Sequence, residues 1–420
     1  MINELQDILN KNSIKVYNIY EEYRESAEIF FVKRNLDLTR SKEVKEIRLR
    51  VYHDFEEDNT MYRGSCDIYI YPGMEKDEIE KAVISAYNSA KHVKNPYFEL
   101  PKGEVKDAGA PDTELKNMSL TESAFAMAAA LYEGEHSSKN AFINSAEIFS
   151  EKKTVRIITS AGCDVTYTKY NINGEFVVQC KNENNDVEQY QSFDYDDLCT
   201  SLLTEKCAQA LKMVEDRAVA VPAPTDLSEY PVILTGQSVG DLLDFYLCRG
   251  NAAYIYPKYS PYCEGYDTQK DSTGEKLNLT LIPKTPYSEE GVPMKELTFI
   301  EDGIVKNLHG SVALSSYIGI NQVGTYSAVN CKNGTETLEE ITGRPYIMVK
   351  NFSDFQIDPL DGYFGGEFRL AYLYDGKETS ILTGGTVSGN IFDACKKLTF
   401  SKERYEDGDY SGPYAVRIDI

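Results

Sequence analysis

The sequence predicts an α+β protein. An N-terminal mixed α/β domain of strands and helices spans 1–225, and a mostly antiparallel β domain, a barrel or curled sheet, spans 226–420. Three observations predict it. Segments alternating apolar and polar residues, the period of a half-buried strand, fill residues 14–71 and lead into a helical segment. The same succession recurs between 141 and 214. A proline-rich stretch, AVAVPAPTDLSEYP (218–231), then separates this region from one of short strands and Gly turns.

The first strands are IKVYNIYEEY (14–23), AEIFFVKRNLDLTR (27–40), EIRLRVYHDF (46–55) and CDIYIYP (66–72). Met74 to Val93 reads as a helix, with Glu75, Asp77, Glu78 and Glu80 near its start and Ile79, Val83, Ile84 and Tyr87 at helical spacing. Asn95-Pro96 ends it. The polar stretch 101–120 reads as a connection, which would divide the first domain into two subdomains. Thr121–Leu131 reads as an Ala-rich helix capped by Thr121.

Four further strands are expected: AFINSAEIFSEKK (141–153), TVRIITSAG (154–162), DVTYTKYNING (164–174) and EFVVQCKNENND (175–186). Ser201–Val214 is helical, with Leu203, Cys207, Ala210, Leu211 and Val214 on one face. Past residue 225 the strands are LNLTLIPKT (277–285), KELTFIEDGIVKNLHGS (295–311), RPYIMVKN (344–351), FRLAYLYDGKETSIL (368–382) and YAVRIDI (414–420).

A chain of 420 residues is too long for one ordinary core. Its net charge of −23 excludes a nucleic-acid binder of the usual kind, which needs clustered Lys and Arg against phosphate, and an anionic membrane surface would also repel it. The start, MINELQDILNKNSIK, lacks the cationic and apolar regions of a signal peptide, and no apolar run is long enough to span a bilayer. Nine scattered Cys without a CxxC pair suit reduced thiols in a cytoplasmic protein.

Familiar catalytic patterns are missing. His53, His92, His136 and His309 are isolated, and neither HExxH nor GxSxG occurs. GGTVSGN (384–390) lacks the Lys of a phosphate loop and reads as a tight turn before a short helix, Ile391–Lys397. The adjacent carboxylates Glu56-Glu57, Asp196-Asp197, Glu289-Glu290 and Glu339-Glu340 read as solvated surface charge. Cys263, Glu264 and Asp267 in PYCEGYD read as a loop. GQSVGDLLDFYLCRG (236–250) reads as a loop opening into a short apolar helix that carries Asp244, Cys248 and Arg249.

Three segments, in order, resemble the TldD/PmbA (TldD/TldE) family, whose members have been labelled modulators of DNA gyrase. They are YRGSCDIYIYPGMEKDEIEKAVISAYNSAKHVKNPY (62–97), EEGVPMKELTFIEDGIVKNLHGS (289–311) and FGGEFRLAYLYDGKETSILTGGTVSGNIFDAC (364–395). The resemblance implies that 226–420 is a TldD/PmbA-type domain. In the TldD branch an H-E-x-x-x-H helix binds zinc through its two His, the Glu is general base, and a later Cys is a further ligand. The TldE/PmbA partner lacks that motif. Laid on this sequence, the motif positions are Asp244, Phe245 and Arg249, with the helix starting near Asp244 and Cys395 near the Cys position. Phe cannot act as a base and Arg cannot ligate a metal, so the resemblance lies with the TldE/PmbA branch.

The resemblance further implies a chain with no cofactor of its own, zinc being confined to a TldD-like partner. Partners are that zinc peptidase subunit or a second copy, together with an extended peptide. Glu367, Arg369, Gly384, Gly385, Ser388 and Gly389 are the candidate peptide contacts, with strand addition to a sheet edge as the binding mode. A salt bridge between Asp244 and Arg249 would require a distorted helix, because positions five apart lie about 140° apart around an ideal one. Two other functions fit the emptied motif: a non-catalytic homodimeric scaffold, and a stand-alone peptidase with an atypical site.

Overall fold

A computed structural model describes residues 1–182 and 185–419. Among these, the N-terminal sheet comprises β1 (Tyr17–Val32), β2 (Asn35–Glu57), β3 (Thr60–Ile70), β4 (Val105–Gly109), β5 (Ala141–Thr159), β6 (Asp164–Lys181) and β7 (Asp186–Tyr195). Its order is β3-β2-β1-β5-β6, with β4 and β7 both pairing β6. Helices α1 (Ile2–Lys11), α2 (Lys76–Ala90), α3 (Leu120–Glu135) and α4 (Thr200–Val219) cover one face. Odd-numbered residues of β1 show why: Ile19 packs with α1 and α2, and Ile29 packs with α3 and α4. Alternating side chains direct one apolar set to that face.

The chain then contributes β8 (Val221–Pro222), β9 (Val232–Thr235), α5 (Gln237–Gly250), α6 (Ala252–Ile255), β10 (Leu279–Ile282), β11 (Leu297–Glu301), β12 (Ile304–Val305), α7 (Val312–Ile318) and β13 (Ala328–Cys331). Next come α8 (Leu338–Ile341), β14 (Tyr346–Ile357), β15 (Tyr363–Tyr374), β16 (Thr379–Thr383), β17 (Gly385–Asn390), α9 (Ile391–Ala394), β18 (Leu398–Phe400), β19 (Arg404–Asp407), β20 (Tyr410–Pro413) and β21 (Ala415–Ile418). Two curled sheets result, ordered β12-β11-β10-β13-β20-β19 and β18-β21-β9-β14-β15-β16-β8, with β17 on β15. Pairing is mostly antiparallel, and β13·β20, β9·β14 and β16·β8 are parallel. Residues of both sheets and of α5 share one large apolar core.

Several elements differ from the sequence expectation. The strand expected over 27–40 is broken by the turn at Lys33 (φ 53°), and its first part continues β1. The pairs expected at 141–162 and 164–186 are each one long strand, while β7 and α1 were unrecognised; residues 183–184 lie outside the described residues. Ser119, not Thr121, caps α3, its hydroxyl accepting from Glu122 N while Glu122 reaches back to Ser119 N. The connection 101–120 contains β4. Only Gly384 (φ 72°) is a turn in GGTVSGN; the rest is strand β17, because β15 offers it a pairing edge, and the helix beyond stops at Ala394.

The carboxylate pairs also do more than face solvent. Asp197 accepts from Thr113 Oγ1 and from the amides of Glu114 and Leu198, Glu340 caps α8, and Glu290 accepts from Val312 N. Glu289 pairs with Arg48 across the two halves of the chain.

Phe176 is fully buried between the N-terminal sheet and α3 and α4. Phe176→Ala should therefore cost about 3–5 kcal/mol, read as a shifted denaturation midpoint for the N-terminal sheet; a change within measurement error would contradict the packing.

Candidate functional site

A cleft of about 1470 Å³ lies where the N-terminal sheet, α4, the first turn of α5 and β14 converge. One wall is β7. It is an edge strand, pairing only β6 among the described residues. Asp194 and Glu188 direct backbone groups outward: Asp194 N donates to Asp407 Oδ1 (3.0 Å), its carbonyl accepts from Gly408 N (3.0 Å), and the Glu188 carbonyl accepts from Arg217 (2.6 Å). Tyr190 and Ser192 share that parity, so their amides and carbonyls also point outward, with no partner among the described residues.

The opposite wall is β14. Val349 is the last residue that pairs β9, so the outer edge from Lys350 to Phe355 faces the cleft unpaired among the described residues. Three register shifts leave Lys350, Ser353 and Arg369 without a partner in the β14·β15 register and curl this strand. Lys350 Nζ donates to Tyr414 Oη (2.5 Å) and lies over its ring. Asp407 of β19 ties β7 to α4: it accepts from Asp194 N, pairs with Lys206 of α4, and accepts from Tyr405 Oη (3.2 Å).

At the base, α5 begins at Gln237, seven residues before the start expected from the resemblance. Gly236 (φ 60°), a conformation that favours glycine, makes the turn from β9 into it. Val239, Leu242, Leu243, Phe245, Tyr246 and Leu247 are buried, which leaves one polar stripe at helical spacing: Gln237, Asp241, Asp244 and Cys248. Gln237 Nε2 donates to Asp241 Oδ1 (3.2 Å).

Asp244 has an outer side open to water and its remaining sides enclosed by protein. Desolvation first, then the charges of Asp241 and Asp409, push its carboxyl up to about 7. The Cys248 thiol is raised by burial and by Asp244, which keeps it protonated and poorly nucleophilic.

The three motif positions do not converge. Phe245 and Arg249, four apart, share the buried face, and the guanidinium lies 5.2 Å from the Phe245 ring centroid, flanked by Tyr262 and Phe392. Arg249 Nη1 donates to the carbonyls of Pro359 (2.9 Å) and Leu360 (3.1 Å), and Nε has no partner among the described residues. The Asp244–Arg249 salt bridge is thus absent, because the undistorted helix sends the two side chains to different faces. This donor set does not fit zinc: a ring and a cation occupy two of the three positions. Among the described residues no group of three or more His, Cys, Asp or Glu could hold a metal ion.

Cys395 caps the C-terminus of α9 as a buried thiol, donating to the carbonyls of Thr268 and Phe392. His309 is buried; Nε2 faces the Leu247 carbonyl (3.1 Å), Nδ1 accepts from Tyr326 N (3.2 Å), and desolvation lowers it to about 4, so the ring is a neutral tie.

The six candidate peptide contacts lie on β15, β17 and the Gly384 turn between β16 and β17, and none lines the cleft. Glu367 opposes Thr386, Gly385 opposes Phe368, Ser388 opposes Gly365, and Gly389 opposes Phe364. Arg369, at its bulge, approaches Arg217 closely enough for like-charge repulsion to add to the desolvation that lowers the latter. Sequence reasoning missed the cleft itself, since its walls are edges of separate sheets.

Residues 227–419 match the family described as PmbA/TldA metallopeptidase C-terminal domain. No curated protein sequence matches the chain. Among solved structures, TldE from Thermococcus kodakarensis aligns over 99% of this chain and 98% of its own, with TM-score 0.78 and 16% identity. A candidate modulator of DNA gyrase from Thermotoga maritima covers 100% and 99% (TM-score 0.76, 14% identity), and one from Bacteroides thetaiotaomicron covers 99% and 96% (TM-score 0.79, 12% identity). At these identities the likeness establishes the fold.

Asp244 supplies a pH test. Its folded pKa is raised, so the protonated carboxyl favours the folded state, and that advantage is lost as pH rises from the ordinary 3.8 through about 7. Chemical denaturation across this window should show the native chain losing stability relative to Asp244→Asn. Parallel curves would show that the carboxyl is not desolvated.

Proposed function

We propose that this chain, which belongs to the TldD/PmbA family, is the zinc-free, peptide-holding subunit of a TldD/TldE-type peptidase system. The observation that carries the reading is the cleft between two unpaired strand edges, Tyr190–Ser192 of β7 and Lys350–Phe355 of β14. An extended peptide satisfies such edges through its own amides and carbonyls, which gives affinity with little dependence on peptide sequence. Phe352, Phe355 and Tyr190 supply apolar surface for its side chains. Phe245 and Arg249 on α5 argue that hydrolysis depends on a zinc-bearing TldD-like partner, for which this subunit orders the substrate. The modulator naming of two relatives stays with those proteins; a net charge of −23 does not favour contact with DNA.

Fluorescence anisotropy with a labelled unstructured peptide tests the reading. Ser192→Pro removes one outward amide and should weaken binding roughly three- to tenfold. Unchanged affinity, or no binding by the native chain, would refute the cleft as a peptide site. Elemental analysis of the purified chain should return far less than one zinc per chain; one tightly held zinc would overturn the division of labour while leaving the cleft assignment intact. Association with a TldD-like peptidase, with cleavage only in the mixture, separates this role from that of a scaffold.

A further inference from the structure

The open edge of β14 has a definite beginning. β9 runs parallel to β14, with Leu234 opposite Val349. Thr235 Oγ1 then donates to the Val349 carbonyl (2.9 Å), and Gly236 turns the chain away into α5 while its amide donates to the Tyr414 carbonyl (2.8 Å). The edge is therefore closed up to Val349, and Lys350 is its first open residue. Lys350 also falls out of the β14·β15 register, which passes from Val349 opposite Ala371 to Asn351 opposite Leu370. A bulge of this kind re-aims a side chain, and Lys350 lines the cleft half-buried.

Charge singles out the same residue. Seven carboxylates and four cations line the cleft, so an acidic ligand is repelled over most of its length. Lys206 pairs with Asp407, Lys212 pairs with Asp216, and Arg404 donates to Asn330 and Ser411 of its own sheet. Lys350 has no carboxylate partner among the described residues. Its Nζ donates to the neutral Tyr414 Oη (2.5 Å) and lies 4.9 Å from the centroid of that ring. The tyrosine fixes the ammonium in place and leaves further N–H donors of its three for a ligand.

The geometry points to Lys350 as the residue that receives a carboxylate of the bound peptide, supplied by its C-terminus or by an acidic side chain on its last residue. This inference rests on the cleft as a peptide site and names the class of peptide it takes. A strand added along Lys350–Phe355 cannot continue past Val349, because β9 occupies the positions beyond. Antiparallel pairing is slightly the more stable, and an antiparallel strand runs from Phe355 toward Lys350, so its C-terminal end arrives beside the ammonium. In the parallel orientation the arriving end is an amino group, which the same charge repels. One fixed cation at the closed end of an otherwise acidic cleft thus sets both the direction of the peptide and its register.

Anisotropy on the full chain tests it with three labelled peptides of one unstructured sequence free of internal acids: a C-terminal acid, a C-terminal amide, and an amide whose last residue is Asp. The acid should bind about three- to tenfold more tightly than the plain amide, and the ratio should shrink as salt is raised. If the peptide ending in Asp amide matches the acid, either source of carboxylate is accepted; if it matches the plain amide, the site reads the chain end. Lys350→Gln should bring the ratio down to about one, and Lys350→Arg should restore it. A structural defect in either variant would weaken acid and amide alike, so the ratio isolates the charge. Equal affinity of the native chain for acid and amide, or a ratio that survives Lys350→Gln, overturns the proposal and leaves the cleft as a peptide site. Binding of none of the three would remove the cleft reading, and this inference with it.

Discussion

A strand's backbone amides and carbonyls must find partners, and this requirement organises the whole molecule. The β1, β5 and β6 ladders run for fifteen or more residues because each long strand satisfies its neighbour along most of its length. Where a ladder ends early, an edge is left. β7 beyond β6, β14 beyond Val349 and the first half of β2 are such edges, and the first two face one another across the cleft.

Charged side chains that a net-acidic composition suggests are mere solvation instead fix how the two halves of the chain meet. Asp407 reaches from β19 to the Asp194 amide on β7 and to Lys206 on α4. Glu289 meets Arg48, and Gly291 (φ 81°) passes against Cys163, where a side chain would not fit. The Asp407 contacts replace water on polar groups with protein partners beside the cleft.

On α5 the controlling factor is helical phase. The period of about 100° per residue puts Asp244 in the stripe with Asp241 and Cys248, and puts Phe245 and Arg249 against the core. Arg249 directs its hydrogen bonds to the Pro359 and Leu360 carbonyls and so ties the β14–β15 connection to the helix. The helix α5 is a packing element with an acidic stripe, an arrangement that depends on helical phase as well as on the residue types at 244, 245 and 249.

The sequence by itself determined the fold class, because alternation with period two and helical spacing are local. Segments such as Ser201–Val214 and FRLAYLYDGKETSIL declare their element and their buried face without reference to the rest of the chain. It also carried the resemblance to the TldD/PmbA family, through residue types held in order. Tertiary structure alone decided where long strands end, that GGTVSGN becomes β17, and which edges stay open. The physical reason is that alternation specifies faces, whereas an edge is defined by whether a distant segment arrives to pair with it.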